Sequence, residues 1–152
     1  PMGQGDVGAT PLQVLDCIVA IANGGTLYEA RIVSQIRSYD GKVTPVPTKV
    51  IREKFVDSNI LRIVREGMRE TVTEGTAQAL ADLPIEVAGK TGTAQFGNES
   101  KTHGWFVSFA PYEAPELALV VLVEGQGEEG YNAVPVTKDV YSWYFGREKK
   151  EE

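Results

Sequence analysis

Val87-Ala88-Gly89-Lys90-Thr91-Gly92-Thr93-Ala94-Gln95 sets one lysine between glycines and flanks it with hydroxyls. Small residues on both sides let another backbone come close. Glycine and alanine bury little, and glycine weakens a strand interior. Such a strand makes a poor core element and suits a segment that lies against a ligand. A lysine with two threonines suits an anion, a carboxylate or a phosphate.

Two motifs compete for this stretch. A phosphate loop needs G-x-x-x-x-G-K-[ST]. Five residues before Gly89 stands Pro84, and Leu83-Pro84-Ile85-Glu86-Val87 makes no flexible amide cradle. The other is the Lys-Thr-Gly element that accompanies S-x-x-K and S-D-N in penicillin-binding proteins and β-lactamases. Three residues alone are a weak signal, whereas the string from Ala88 to Gln95 is far more specific. The plain structural alternative is a small-residue strand at a tight packing point.

The chain has 152 residues, enough for one domain. A compact chain of this length buries about 68–70% of its unfolded surface. Hydrophobic residues are 42% and charged residues 24%, ordinary for a soluble globular protein. The net charge of −6 argues against nucleic acid as a partner. The longest apolar run, Leu117 to Val123, is too short to span a membrane. Nothing at Pro1 reads as a signal peptide. A single cysteine, Cys17, excludes an internal disulfide and a cysteine zinc cluster. Its apolar helical setting predicts a core position.

Residues 1–9 read as a glycine-rich loop. Thr10 as N-cap, Pro11 at the first helical position and Gln13 as the capping-box partner then start a helix. Leu12, Leu15, Val19 and Ala22 form its apolar stripe, widened by Val14, Ile18 and Ile21, which predicts a mostly buried helix. Asn23-Gly24-Gly25 ends it. Tyr28 to Tyr39 and Lys42 to Val46, joined by Asp40-Gly41, read as a hairpin. Pro45 and Pro47 keep the second arm at an edge.

Asp57 or Ser58 caps a second helix that runs to about Thr73. Leu61, Val64, Met68 and Val72 are its inner stripe. Arg62, Arg65, Glu66, Arg69 and Glu70 are predicted to face water. Gln78 to Leu83 reads as a short helical or looping connection. Three strands follow, Ile85 to Phe96, Gly104 to Tyr112 and Glu116 to Glu124, with connections short enough to make them antiparallel neighbours. The third is apolar on both faces, which predicts a central strand in a layered α+β domain. Gly125 to Gly130 reads as an acidic loop. Val134 to Phe145 is a final helix packing through Val136, Val140, Trp143 and Tyr144, ended by Gly146. Residues 147–152 form a charged tail predicted to be disordered.

Taken together, these segments resemble the C-terminal part of the transpeptidase domain of a class B penicillin-binding protein. The resemblance rests on Gly3-Gln4-Gly5, Ala9-Thr10-Pro11-Leu12-Gln13, Ala20 to Leu27 and Glu66-Gly67-Met68. It continues through Gly75-Thr76-Ala77, Ala88 to Gln95, His103-Gly104-Trp105-Phe106-Val107 and Phe109-Ala110-Pro111-Tyr112. Within the class it is most similar to penicillin-binding protein 2, the elongation type. It departs at Gly104 and at Glu128-Glu129-Gly130.

The resemblance implies an antiparallel sheet flanked by helices, part of the β-lactamase/transpeptidase-like fold, over residues 1–146. It implies a D,D-transpeptidase that cross-links peptidoglycan stem peptides through an acyl-serine. Its ligands would be the D-Ala-D-Ala terminus and β-lactam antibiotics. Lys90 would raise the local positive potential, assist proton transfer and, with the Thr91 and Thr93 hydroxyls, hold the ligand carboxylate. The Thr93 N–H would be one oxyanion donor, and Gly92 would let the substrate backbone lie along the strand. No cofactor or metal is implied. The family sits on the outer face of the bacterial cytoplasmic membrane, anchored by a segment absent from this chain, and can join the cell-elongation machinery.

Two family elements are missing. Ser34, Ser38, Ser58, Ser100, Ser108 and Ser142 are followed three places on by Arg37, Gly41, Leu61, His103, Pro111 and Phe145, so none starts S-x-x-K. No serine has asparagine two residues later. In the family both motifs lie N-terminal to this stretch. The chain is therefore expected to be inactive alone, to need the N-terminal half of the same protein, and to self-associate through uncovered helix faces. His103, the single histidine, reads as structural. The alternatives are a serine β-lactamase or penicillin-sensing domain, and a non-catalytic peptide-binding module.

Overall fold

Thr10 and Gln13 form the capping box that the sequence predicts. Thr10 Oγ1 accepts from the Gln13 N–H at 3.3 Å, and Gln13 Oε1 accepts from the Thr10 N–H at 2.9 Å. They start α1, Pro11–Ala22, in a computed structural model that describes residues 7–96, 101–126 and 133–147. Gly24 and Gly25, at φ +83° and +100°, turn the chain out of the helix. The helix is less buried than expected: Ile18, Ala20 and Ala22 are buried, but Leu12 is 54% exposed. Cys17 is exposed too, which corrects its predicted core position. One stripe of α1 meets the sheet, and among the described residues nothing covers the opposite side.

The predicted hairpin forms, with shorter arms. β1 (Leu27–Tyr28) pairs with β4 (Val50–Arg52), and β2 (Gln35–Arg37) with β3 (Val43–Pro45), both antiparallel. Gly41 at φ +84° makes the turn, and Asp40 Oδ1 accepts from the Lys42 N–H. Helix α2, Ser58–Thr73, is capped by the Asp57 carboxylate, which accepts from the N–H groups of Asn59 and Ile60. Leu61, Met68 and Val72 are buried as predicted, while Val64 stays exposed.

Two arginines of α2 leave the solvated face assigned to them. Arg65 donates to the carbonyls of Ala22 and Tyr112, and its guanidinium lies 5.1 and 5.3 Å from the Phe109 and Tyr112 ring centroids. Arg69 donates to the Val87 carbonyl and to the Glu86 carboxylate, each at 3.1 Å. A guanidinium can be drawn inward when backbone acceptors and aromatic faces replace its water. Arg62, Glu66 and Glu70 remain outside.

After a short 3-10 turn at Gln78–Leu80, the chain builds its main sheet. β5 (Ala88–Phe96), β6 (Lys101–Ala110) and β7 (Leu117–Gln126) are antiparallel in the order β5-β6-β7. Among the described residues β6 is the central strand and β7 stands at the other side of the sheet, not at its centre as expected. Its two apolar faces have another cause: α1 packs on one and the final helix on the other. That helix, α3, is Ala133–Arg147. It buries Ala133, Val134, Thr137, Tyr141 and Phe145, whereas Val136 and Trp143 are exposed. The predicted stripe was out of phase, and only its border residues Val140 and Tyr144 are half-buried.

The main sheet separates the core into two layers. Val87, Phe106, Tyr141 and Phe145 pack on the α3 side. Ala88, Phe109, Met68, Ile18 and Ala22 pack on the α1 side. The Ser108 and Tyr141 hydroxyls meet at 2.9 Å inside the first layer, which satisfies both buried groups. The loop expected at residues 1–9 is described only from Val7. The acidic loop beyond Gln126 and the tail beyond Arg147 lie outside the described residues.

Candidate active site

Lys90, Thr91, Gly92 and Thr93 all lie on β5, at one side of the sheet. Along a strand, successive residues turn their N–H and C=O groups to opposite sides. The Val87 carbonyl is turned away from β6, because it accepts from Arg69 on α2. The Thr91 carbonyl accepts from Lys90 Nζ at 2.7 Å. The alternation therefore puts the N–H and C=O groups of Gly89, Thr91 and Thr93 on the edge away from β6. Among the described residues no strand pairs there.

Side chains alternate as well. Lys90 and Gly92 share a face with their β6 partners Val107 and Trp105, while Thr91 and Thr93 point to the other face opposite Phe106 and Gly104. The Lys90 ammonium folds back over the open edge to reach Thr91. A groove of about 410 Å³ runs beside this edge, lined by Lys90, Thr91, Gly92 and Thr93 from β5, Trp105 from β6 and Val14 from α1. The Lys90 ammonium and the open backbone edge of β5 thus border one concave strip, with Thr91 and Thr93 among its lining residues.

The two glycines differ in what they permit. A Cβ on Gly89 would stand 2.4 Å from the Phe106 ring and 2.8 Å from the Val107 carbonyl. Gly89 is there for packing. A Cβ on Gly92 would meet only Trp105 Cβ at 3.4 Å, an ordinary contact. Space at Gly92 thus belongs to the groove and not to the core.

His103 pairs with Ala94, four residues along the strand from Lys90. Its Nδ1 accepts from the Gly125 N–H at 3.3 Å, where an extra residue in β7 shifts the register and Gly125 takes φ +68°. This is a structural placement. One residue escaped sequence reasoning: Thr76, after α2, whose hydroxyl lies 2.8 Å from that of Thr91. Fifteen residues separate the two, and nothing local marks the contact. A second cleft, about 360 Å³, lies between α2 and Tyr112. Its Arg62 and Arg65 are offset by Glu66 and Glu113, so it presents no net cationic site. Among the described residues no group of three or more His, Cys, Asp or Glu could hold a metal ion.

The family model described as the penicillin-binding protein transpeptidase domain matches residues 1–142. This chain belongs to that family. The peptidoglycan D,D-transpeptidase MrdA of Haemophilus influenzae is 29% identical over 96% of this chain and 25% of that protein. The peptidoglycan D,D-transpeptidase PbpA of Mycobacterium tuberculosis is 30% identical over 91% of this chain and 30% of that protein. The chain thus spans between a quarter and a third of these relatives. Among solved structures, penicillin-binding protein A of M. tuberculosis, an imipenem acyl-enzyme complex, superposes with a TM-score of 0.79 at 31% identity. That match covers 92% of this chain and 32% of the other. PBP2 of Pseudomonas aeruginosa superposes at 0.75 with 30% identity, over 93% of this chain and 32% of the other. The α+β penicillin-binding fold and the likeness to class B, penicillin-binding-protein-2-type transpeptidases agree with the sequence expectation.

Proposed function

We propose that this chain forms the Lys-Thr-Gly wall of a peptidoglycan D,D-transpeptidase site. The observation that carries the reading is the open edge of β5, with the Lys90 ammonium folded across it and a groove alongside. The ligand is the D-Ala-D-Ala end of a stem peptide, or a β-lactam that imitates it. It lies along the edge as an added strand. Lys90 and the hydroxyls of Thr91 and Thr93 receive its carboxylate. The Thr93 N–H, on the open edge by alternation, donates to the oxygen that becomes negative when a serine attacks the carbonyl. An amine from a second stem then displaces the serine from the acyl-enzyme.

The attacking serine and its base are supplied by the N-terminal half of the same protein, since no serine of this sequence starts S-x-x-K. The chain alone is therefore inactive. Residues 1–146 act as one unit with that half, on the outer face of the cytoplasmic membrane and in the service of cell elongation. No helix among the described residues is long and apolar enough to cross a membrane.

Intact mass after incubation with penicillin tests this. The chain alone is expected to show no adduct, and the protein extended N-terminally a stable one. An adduct on the chain alone, or none on the extended protein, refutes the reading. An adduct that is rapidly lost to water would mark a β-lactamase instead.

A further inference from the structure

Thr76 sits where a tight turn leaves it little freedom. Before it, Gly75 has no room for a side chain: a Cβ would stand 2.8 Å from Thr71 Cα and 2.9 Å from the Thr71 carbonyl oxygen. After it, Ala77 is fully buried, and its N–H donates to the Thr71 carbonyl at 3.0 Å. The Gly75 N–H donates to the Glu70 carbonyl at 3.0 Å. The backbone on both sides of Thr76 is thus pinned to the end of α2. The Thr76 side chain reaches outward from that pinned turn to Thr91 on β5, hydroxyl to hydroxyl at 2.8 Å.

Each hydroxyl has one proton to give and can also accept. A carboxylate only accepts. If Thr91 is to donate to a ligand carboxylate, its oxygen must be the acceptor in the pair, and Thr76 must be the donor. We propose that Thr76 is a positioning residue: it donates to Thr91 Oγ1, fixes the Thr91 rotamer, and leaves the Thr91 proton aimed at the ligand carboxylate. This rests on the reading of Thr91 as a carboxylate contact. The chain Thr76 to Thr91 to carboxylate is cooperative, because donating makes an accepting hydroxyl a better donor. Without Thr76 the Thr91 side chain is free to exchange its hydroxyl and methyl among staggered rotamers.

The test uses the N-terminally extended protein and the second-order rate of acylation by penicillin and by its methyl ester. Thr76→Val is expected to slow penicillin about fivefold, the ~1 kcal/mol net worth of one hydrogen bond. The ester, which lacks the anionic carboxylate, should change little. Thr76→Ser should restore the penicillin rate. Thr76→Val with Thr91→Val should be no slower than Thr91→Val alone, because both act through one hydroxyl. Thermal melting reports whether each variant is folded, and Thr76→Ala serves if valine is not tolerated. Equal slowing of penicillin and ester, no slowing at all, or multiplied losses in the double variant each overturn the proposal. If the unaltered protein forms no adduct, the functional reading itself falls. An adduct on the unaltered protein with an unchanged Thr76→Val rate removes only the role of Thr76.

Discussion

Gly89→Ala isolates the packing demand of β5 from the ligand role proposed for it. The added methyl would enter a space already held by the Phe106 ring at 2.4 Å, the Val107 carbonyl at 2.8 Å and a second Phe106 ring atom at 3.1 Å. The ring is fully buried and has no room to swing, and the carbonyl belongs to a strand paired on both sides. Overpacking of this kind costs about 1–3 kcal/mol, and a clash with backbone belongs at the upper end. At roughly 2–4 °C per kcal/mol for a chain of this size, the melting temperature should fall by about 6–12 °C. Circular dichroism melting of the chain and of the variant measures it. Gly92→Ala is the control. Its methyl meets only Trp105 Cβ at 3.4 Å, and alanine costs a strand less entropy than glycine, so the melting temperature should hold or rise slightly. A Gly89→Ala variant that melts within about 2 °C of the parent, against the range expected above, would refute the reasoning. So would a Gly92→Ala variant that is equally damaged.

Two further outcomes follow from groups away from β5. Arg65→Ala leaves the Ala22 and Tyr112 carbonyls without their donor and uncovers two rings. Hydrogen bonds to a charged group contribute about 1.5–3 kcal/mol, so a loss of about 3 kcal/mol is expected in denaturant unfolding. Arg65→Lys should recover little, since an ammonium cannot fork between two carbonyls while stacking on rings. Tyr141 concerns pH. Burial chiefly pushes its phenol up from the ordinary value of 10.0, with the Ser108 hydrogen bond acting weakly the other way. The folded state then holds the proton longer than the unfolded state, so stability is flat below the ordinary value and falls as pH rises past it. Tyr141→Phe should abolish that alkaline slope in unfolding midpoints. At neutral pH it should cost about 1–3 kcal/mol by stranding the Ser108 hydroxyl. An unchanged slope would contradict this assignment.

The features legible in the sequence were those whose physics is local. The Thr10 and Gln13 capping box, the Asp40-Gly41 turn and the Asp57 cap each act within a few residues. Strand β5 stood out because Gly89, Lys90, Thr91 and Gly92 are poor core residues standing together. What stayed hidden depends on partners distant in the chain. Arg65 and Arg69 sit on a helix face that reads as solvated, and only the fold brings carbonyls 43, 47 and 18 residues away to them. Thr76 stands within Gly75-Thr76-Ala77, a stretch that carries the family resemblance, but no role for its hydroxyl shows until Thr91 stands beside it. The burial of α3 depends on its rotation, which short apolar spacing left open by roughly a quarter turn. Cys17 and Leu12 belong to an apolar helix, yet lie on the stripe that the described residues leave uncovered. For β7, two covered faces were read as a central place, but coverage comes from α1 and α3 and says nothing of edges.

The central claim is that the open edge of β5 receives the ligand's carboxylate and its reacting carbonyl. The most direct measurement is a crystal structure of the N-terminally extended protein acylated by penicillin. The carboxylate should lie within about 3.2 Å of the Thr91 and Thr93 hydroxyls, and the acyl oxygen within the same distance of the Thr93 N–H. A carboxylate held elsewhere, or an acyl oxygen turned away from β5, would contradict the account.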